Sequence, residues 1–325
     1  MLLVLNGADR VACGELPFVM SVPSTALRLW AAKAIGSSGQ GVLSADLSQS
    51  GDSGPWLLTI GSSDGTVRAV LRLDDATDVD SVHRFSTEAA AIELAEHHGL
   101  AAPRLLASDL DGSVTGKLAI LQTALPGGSQ IPAEPHQNRL LALGRGLGRV
   151  HKVAAVPTTA LPFRRRPTED VDFGALPIPE GSVELLTTAR RFLSERTVPE
   201  EPQGLVHGDF WQGNTLWEND RYIGTIDWDC AGVGPAGVDL GSARCDVAVM
   251  YGQGAEDEVL VGWEEVMGRS ALNVAWWDIV AATCTPLDLS MWLPNFHHQG
   301  RDDLDLTTVT RRRDSFLAAA LQHLT

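Results

Sequence analysis

The sequence predicts an α+β protein with two lobes: a small sheet-containing lobe over residues 1–124 and a mostly helical lobe over residues 125–325. Two observations lead to this prediction. Short runs of β-branched and apolar residues lie mainly before residue 124, and a Pro-Gly-Gly break at 126–128 follows the last of them. After the break, apolar residues recur at helical spacing. A chain of 325 residues is long enough for two such lobes.

The first lobe has a mixed pattern of helices and strands. A helix is predicted over residues 86–98, because Ser86 can cap it, Ala, Glu and Leu favour it, and Gly99 ends it. The remaining predicted elements, in chain order, are a helix over 24–35 and strands over 56–60, 67–73 and 118–123.

The second lobe reads mostly as helix. Helical spacing covers residues 136–153 and 183–196, and a Pro-rich stretch over 156–181 between them predicts an irregular insertion. Two short strands are expected between Thr215 and Ile226. The chain from Pro235 onward predicts helices again. The function of the two short strands is therefore the main question.

Charge and composition argue against several classes of protein. The formal net charge is −16, which disfavours binding to nucleic acid or to an anionic membrane surface. No apolar stretch reaches the roughly 18 residues of a membrane span, and the N-terminus lacks the basic region of a secretory signal. The four cysteines are too scattered for a disulfide framework, so we expect a cytoplasmic protein. The oligomeric state stays open.

The chemistry is concentrated in one segment, which reads LVHGDFWQGNTLWENDRYIGTIDWD over residues 205–229. Asp209, Asn214 and Asp227 are polar residues in mostly apolar surroundings. Two runs that suit β-structure flank the turn-forming residues 218–221. The segment therefore predicts a β-hairpin with polar residues at its open end.

The predicted hairpin brings two oxygen ligands together. With the turn centred near Asp220 and Arg221, Asn214 lies opposite Asp227. An amide oxygen beside a carboxylate suits Mg²⁺, which takes few protein ligands and completes its coordination with water and phosphate. Asp209, just upstream, can orient a hydroxyl nucleophile. This is the arrangement of kinase-type phosphoryl transfer.

The run HGDFWQGN at 207–214, followed by IDWD at 226–229, closely resembles the aminoglycoside phosphotransferase and choline kinase family. The run GVDLGSAR from Gly237 also resembles that family. The resemblance spans about residues 25–325 and is sharpest between 205 and 244. It implies a protein-kinase-like fold with a small antiparallel sheet lobe, and a kinase that uses ATP and Mg²⁺ to phosphorylate a hydroxyl of a small molecule.

The resemblance implies roles for single residues of this segment. Asp209 is expected to be the catalytic carboxylate that positions the acceptor hydroxyl and takes its proton. Asn214 and Asp227 would hold Mg²⁺, with Asp229 as a helper carboxylate near the metal. Two further residues would brace the catalytic loop through hydrogen bonds, namely His207 and Asp239.

In the first lobe, the resemblance implies a nucleotide site. The strand over 67–73 ends in VLRL, where kinases generally carry a lysine for the α- and β-phosphates. Here the cation is Arg72, which can clamp phosphate with different geometry. Glu88 is its natural ion-pair partner. The alternative is a surface pair of little energetic weight.

Two other segments complete the expected nucleotide site. Ser50 and Gly51 lie in a small-residue loop before the strand at 56–60, where backbone N–H groups could approach phosphates, although a plain loop is the commoner interpretation. The segment from Gln122 to Ala124 matches the family's interlobe hinge. Its backbone groups are expected to contact adenine, and this placement depends on the resemblance alone.

The acceptor is expected to lie against the helical lobe. From Glu201 to the end there are 19 acidic and 7 basic residues, and such a field concentrates cationic substrates. An amine-bearing acceptor, such as an aminoglycoside or amino sugar, is therefore our hypothesis; a simply solvated acidic surface is the alternative. Candidate acceptor contacts are Trp211, Asp288 and Trp292.

Other interpretations remain open. A metabolic kinase of a choline-like or homoserine-like amino alcohol would carry the same motifs. A nucleotide-binding, pseudokinase-like regulatory module is a third possibility, which the complete set of Asp209, Asn214 and Asp227 disfavours. A protein kinase is disfavoured because the chain has HGD and DWD in place of HRD and DFG.

Overall fold

The computed structural model describes residues 23–36, 41–47, 55–63, 65–169 and 183–324. Within these residues the chain forms two compact units. The first comprises the described residues up to Phe85 together with Arg104–Ala124, and the second comprises Ser86–Pro103 and the described residues from Leu125 onward. The α+β class is confirmed. The division of the chain into two functional domains at residue 124 stays a prediction.

The first unit is built on an antiparallel sheet with the strand order β1-β2-β3-β5-β4. Its elements, with helix α2 continuing into the second unit, are α1 (Thr25–Ala34), β1 (Val42–Leu47), β2 (Trp56–Ser62), β3 (Gly65–Asp74), α2 (Val79–His97), β4 (Leu105–Asp109) and β5 (Leu118–Thr123). The predicted strand over 118–123 matches β5, and the antiparallel sheet of the first lobe is confirmed.

One face of this sheet forms the core of the first unit. Alternate residues of β2 and β3, including Leu58 and Leu71, are fully buried and pack with Leu27 and Ala31 of α1. Ser24 caps α1, because its side chain accepts a hydrogen bond from the Leu27 N–H. Side chains alternate across a strand. Residues next to the buried ones, such as Arg72, therefore face the other side of the sheet.

Helix α2 begins seven residues before its predicted start. Ser86 lies inside the helix, and Asp78 occupies the position before it, where its carboxylate accepts hydrogen bonds from the Asp80 N–H and the Ser81 hydroxyl. The prediction of a start at 86 was therefore wrong. The cause is the capping turn at Asp75–Asp78, which the β-branched and aromatic residues of 79–85 obscured.

The second unit is mostly helical, with two short antiparallel ribbons, β6–β9 and β7–β8. Its elements are α3 (Gln137–His151), α4 (Val183–Ser194), β6 (Gln203–Val206), β7 (Thr215–Glu218), β8 (Arg221–Thr225), β9 (Gly232–Pro235), α5 (Gly237–Tyr251), α6 (Glu256–Met267), α7 (Val274–Thr283), α8 (Leu293–His298) and α9 (Leu306–Gln322). Helices α3 and α4 and the hairpin follow the predicted pattern. In the Pro-rich stretch, residues 156–169 contain only an isolated bridge between Phe163 and Val233.

Helices α4, α5, α7 and α9 enclose the largest core of the second unit, which contains Trp277, Ile279 and Phe316. Helices α3 and α6 pack against each other so closely that their backbones nearly touch. A methyl group on Gly262 would overlap the carbonyl oxygen of Leu141. Glycine is therefore required at this crossing, although it is a poor helix former. None of the described helices is both long and apolar enough to cross a membrane.

We predict that Gly262→Ala destabilises the protein by about 1–3 kcal/mol, because overpacking outweighs the usual gain in helix propensity. The measurement is the free energy of unfolding in urea. Gly128→Ala is the control, because a methyl group there meets no atom within 4 Å. An increase in stability for Gly262→Ala would contradict the close crossing.

Candidate active site

The two ribbons of the second unit bring the predicted site residues together. Val206 pairs with Gly232 at the end of the β6–β9 ribbon. The loop that follows β6 therefore begins beside the end of the segment that leads into β9. The loop over residues 207–214 ends in a single 3₁₀ turn, Gln212–Asn214, directly before β7. Asp209 and Asn214 are 8% and 5% exposed, so both polar side chains lie in a nearly dry environment.

Asp209 and Asn214 are hydrogen-bonded to each other. The side-chain nitrogen of Asn214 lies 2.9 Å from the Asp209 carbonyl oxygen and 3.1 Å from Asp209 Oδ2. Both neighbours are acceptors, so the amide must present its nitrogen to them. Asn214 Oδ1 consequently points away, and it makes no hydrogen bond with any described residue. This oxygen is available as a hard ligand.

The β7–β8 hairpin has a different register from the predicted one. Asn219 and Asp220 form a two-residue loop, and both have positive φ values, of 50° and 60°. A bulge follows, so Thr215 pairs with Thr225, and the Ile226 N–H donates to the Asn214 carbonyl at 2.9 Å. Asn214 therefore lies opposite Ile226, and the prediction that it faces Asp227 was wrong by one residue.

Asp227 still lies at the open end of the hairpin, directly after Ile226. It adopts a left-handed conformation with φ of 66°, which a short polar residue tolerates better than most. Burial raises the pKa of the Cys230 thiol well above its usual value, and the carboxylates of Asp229, Asp209 and Asp227 raise it further. All three carboxylates therefore lie within electrostatic range of one buried thiol.

Asp239, in the first turn of α5, holds the start of the loop. Its carboxylate accepts hydrogen bonds from the backbone N–H groups of His207 (2.7 Å) and Gly208 (2.8 Å) and from His151 Nε2 (3.1 Å). Burial by itself would raise the pKa of Asp239. The hydrogen bond from His151 and the backbone hydrogen bond from His207, together with the electrostatic effect of both rings, outweigh burial, so the pKa of Asp239 lies below its usual range. The predicted bracing partners are thus in contact.

The His207 ring connects the catalytic loop to the segment that follows β8. Its Nδ1 accepts from the Asp209 N–H at 3.4 Å, so Nε2 carries the proton that is donated to the Ile226 carbonyl at 3.0 Å. Gly208 between them has φ of 81°, and a methyl group there would overlap the Cys230 carbonyl oxygen. The loop therefore needs glycine at this position.

The predicted nucleotide residues that the structure describes are divided between the two units. Arg72 is half-buried on β3 in the first unit, and Glu88 is fully buried in the part of α2 that belongs to the second unit. Ser50 and Gly51 lie outside the described residues. The Ala124 N–H donates to the Arg68 carbonyl within the first unit.

The three candidate acceptor contacts lie in two different environments. The Trp211 and Trp292 rings both lie near Phe296, with centroid distances of 6.4 and 6.2 Å. The indole N–H of Trp211 is buried and makes no hydrogen bond with any described residue. Asp288 instead accepts a hydrogen bond from the Ser290 N–H and caps a 3₁₀ turn. The structure therefore groups the two tryptophans and gives Asp288 a local role.

Among the described residues, no group of three or more His, Cys, Asp or Glu side chains could hold a metal ion. An amide oxygen is not a member of such a group. Mg²⁺ typically takes only one or two carboxylates and completes its octahedron with water and phosphate. The pair of Asn214 Oδ1 and the Asp227 carboxylate fits that pattern.

Comparison with known proteins decides the family. The model of the phosphotransferase enzyme family matches residues 52–270, which include both ribbons and the complete HGDFWQGN loop. The chain belongs to this family. The protein is therefore a small-molecule phosphotransferase that acts on hydroxyl groups, as the sequence predicted. No curated protein sequence is significantly similar to it.

Solved structures share the fold of this phosphotransferase. Macrolide 2′-phosphotransferase MphH from Brachybacterium faecium is 18% identical, with a TM-score of 0.57 over 91% of this chain and 97% of that one. A choline/ethanolamine kinase family protein from Mesorhizobium loti is 16% identical, with a TM-score of 0.54 over 91% and 95%. An amicoumacin kinase, solved in complex with AMP-PNP, Ca²⁺ and Ami, is 15% identical, with a TM-score of 0.54 over 86% and 92%. The kinase-like fold is confirmed.

Sequence reasoning missed Asp246 of the phosphotransferase. Its Oδ2 accepts hydrogen bonds from the Gln212 backbone N–H (3.3 Å) and side-chain amide (3.2 Å). Asp246 is partly exposed, and its Oδ1 makes no hydrogen bond with any described residue. Burial raises the pKa of Asp246 to about 6, Gln212 and Arg301 oppose the shift, and Asp209 adds to it. Its spacing of seven residues from Asp239, on the same face of a mostly apolar helix, was the available signal.

We predict that Asp239→Asn destabilises the phosphotransferase by about 3 kcal/mol at neutral pH, because an amide cannot replace a carboxylate that accepts three hydrogen bonds. The pKa of Asp239 is lowered in the folded state. Its stabilising effect is therefore full above the unfolded value and is lost as pH falls below about 4.

The measurement is urea unfolding of both proteins at several pH values. The exposed Asp302→Asn is the control and should match the wild type throughout. A difference between Asp239→Asn and wild type that is constant from neutral to acidic pH would argue against this role of the carboxylate.

Proposed function

We propose that this phosphotransferase transfers the γ-phosphoryl group of ATP, with Mg²⁺, to a hydroxyl group of a small amine-bearing acceptor. The proposal is supported chiefly by the hydrogen-bonded pair of Asp209 and Asn214, which fixes a buried carboxylate and turns an amide oxygen outward. Asp227 follows at the open end of the same hairpin. Positioning and charge neutralisation account for most of the catalysis in such a site.

Asp209 acts on the acceptor. Its Oδ2 is held by Asn214 and its backbone N–H by His207, so the carboxylate is fixed before substrate binds. It orients the acceptor hydroxyl in line with the γ-phosphorus. As the acceptor O–P bond forms and the bond to the ADP oxygen breaks, the hydroxyl proton passes to Asp209. No covalent enzyme intermediate is needed.

Asn214 Oδ1 and the Asp227 carboxylate would hold Mg²⁺, and Asp229 adds negative charge beside them. The ion supplies charge neutralisation at the transferring phosphate when it is bound. Its nucleotide partner would contact Arg72, which Glu88 would hold as its ion-pair partner, the loop with Ser50 and Gly51, and the backbone near Gln122 and Ala124. The amicoumacin kinase with AMP-PNP and Ca²⁺ supports the pairing of a nucleotide with a divalent cation in this fold.

An amine-bearing acceptor is supported by charge. Asp246 is partly exposed and its carboxylate lies within electrostatic range of Asp209, so an acceptor that reaches Asp209 can place an ammonium group at Asp246. The aromatic rings of Trp211 and Trp292 offer stacking or cation–π contacts nearby. Aminoglycosides, amino sugars and amino alcohols all satisfy these requirements. A cytoplasmic location stays a prediction from the scattered cysteines.

We predict that Asp209→Asn lowers kcat by about 10³-fold, because the acceptor hydroxyl loses both its orienting group and its proton acceptor. The measurement is transfer of labelled γ-phosphate to a panel of hydroxylated amines. ATP affinity, measured by calorimetry with Mg²⁺, should stay within about twofold, because Asp209 is not expected to contact the nucleotide. The control is Asp80→Asn, an exposed carboxylate on α2.

Two results would contradict this assignment. Full turnover in Asp209→Asn would exclude Asp209 as the catalytic carboxylate. Nucleotide binding by the wild type without phosphate transfer to any acceptor would favour the regulatory-module interpretation.

We predict that Asp246→Asn raises KM for an amine-bearing acceptor about tenfold and leaves KM for a neutral hydroxylated analogue unchanged. In the wild type, Asp246 loses its charge as pH falls through about 6, so the ratio of the two KM values should rise at acidic pH. The charges of Asp209 and Arg301 also affect the pKa of Asp246. Any pH effect of these groups on catalysis itself applies to both acceptors, so it cancels in the ratio of the two KM values.

The measurement is steady-state kinetics with both acceptors between about pH 5.5 and 8. In Asp246→Asn, the ratio should be flat over this range. A ratio that is flat in the wild type, or unchanged by the substitution, would exclude Asp246 as the ammonium-binding group.

A further inference from the structure

A chain of buried hydrogen bonds connects helix α6 to the catalytic loop. Trp263 Nε1 donates to His151 Nδ1 at 2.8 Å, and His151 Nε2 lies 3.1 Å from Asp239 Oδ2. Trp263 is 1% exposed, the His151 side chain 2% and the Asp239 side chain 0%. Water therefore cannot substitute for either bond.

The chain fixes the protonation of the His151 ring. An indole N–H can only donate, so Nδ1 must present its lone pair to Trp263. The ring proton is therefore on Nε2, facing Asp239. Trp263 thus ensures that His151 offers a donor, not a lone pair, to the carboxylate.

The helix packing holds this chain in place. The backbones of helices α3 and α6 are in close contact where Gly144 and Gly262 lie. A side chain on either glycine would overlap the backbone of the partner helix. This contact places Trp263 of α6 against His151 at the end of α3, with ring centroids 6.2 Å apart. The donor and acceptor atoms consequently have little freedom to separate.

The other end of the chain is the backbone before Asp209. Asp239 uses both oxygens to hold the N–H groups of His207 and Gly208. His207 in turn binds the Asp209 N–H and the Ile226 carbonyl, next to Asp227. A carboxylate that turned to seek another donor would release this backbone.

We propose that His151 and Trp263 are positioning residues for catalysis: through Asp239 they fix the loop that carries Asp209. The effect on turnover depends on the proposed role of Asp209, whereas the effect on loop order does not. Neither residue contacts a reacting group. The chain from Trp263 to the loop backbone acts as one unit.

Removing the His151 ring should lower kcat by about 100-fold, because Asp239 loses one of three donors in a buried site. The variant is His151→Leu. His151→Gln should keep kcat within about tenfold of the wild type, because its side-chain nitrogen can replace Nε2 as the donor to Asp239. KM for ATP should stay within about twofold in both variants, as expected for a group that acts on catalysis more than on ground-state binding.

Trp263→Phe removes only the indole N–H and should lower kcat about five- to tenfold, because His151 can then adopt the other tautomer. Trp276→Phe is the matched control. Trp276 is also buried, and its indole N–H makes no hydrogen bond with any described residue, so its removal should leave kcat unchanged.

Hydrogen exchange followed by mass spectrometry tests the inference without activity. The peptide containing the N–H groups of His207 and Gly208 should exchange at least about tenfold faster in His151→Leu and Trp263→Phe than in the wild type. In His151→Gln and Trp276→Phe it should exchange at the wild-type rate. A parallel thermal melt confirms that each variant is folded at the temperature of the assay.

The outcomes separate the two proposals. Equal exchange in Trp263→Phe and Trp276→Phe, or unchanged exchange in His151→Leu, would overturn the positioning role. Faster exchange together with unchanged kcat in a turnover-competent protein would show that catalysis by Asp209 does not depend on the order of the loop. This result would also overturn the positioning role. Faster exchange in a protein that transfers no phosphate would support the positioning role and contradict the proposed function.

Discussion

The carboxylate of Asp239 is the interaction on which the rest of the site depends. It is a fully buried anion, and an anion in that environment is tolerated only if strong donors surround it. Its donors come from α3 and from the backbone of the catalytic loop. The requirement to satisfy one charge therefore aligns three segments that are far apart in sequence. Gly208 lies in the loop segment that Asp239 holds, and its positive φ allows the tight turn of the chain at that point.

Local sequence was sufficient for the elements that carry strong local signals. The apolar run of β5 is bounded by a Pro-Gly-Gly break, and Ser24 caps α1, so both elements were found nearly at their observed bounds. The proximity of Asp209 and Asn214 to the open end of the hairpin was also predictable, because Asp209 and Asp227 are only eighteen positions apart and one tight hairpin lies between them. Short loops constrain geometry so strongly that spacing alone indicates proximity.

Features set by contacts between distant segments were not predictable. The hairpin register depends on a bulge after Leu216, which has no composition signal. Asp246 and His151 read as ordinary polar positions on helices, and only the packing of α3, α5 and α6 brings them to the loop. A single sequence also gives no signal that Gly262 marks a backbone crossing. Tertiary contacts determine each of these features. The helical pattern in the sequence would be the same without those contacts, so it gives no signal of them.

Cys230 lies within electrostatic range of Asp209, Asp227 and Asp229, and this environment has a chemical consequence. Burial and three neighbouring carboxylates keep its thiol protonated at physiological pH. The thiolate is the form that reacts with peroxides, disulfides and alkylating agents. Cys230 is buried and its thiol has a raised pKa, so little of the reactive thiolate forms beside the loop of Asp209.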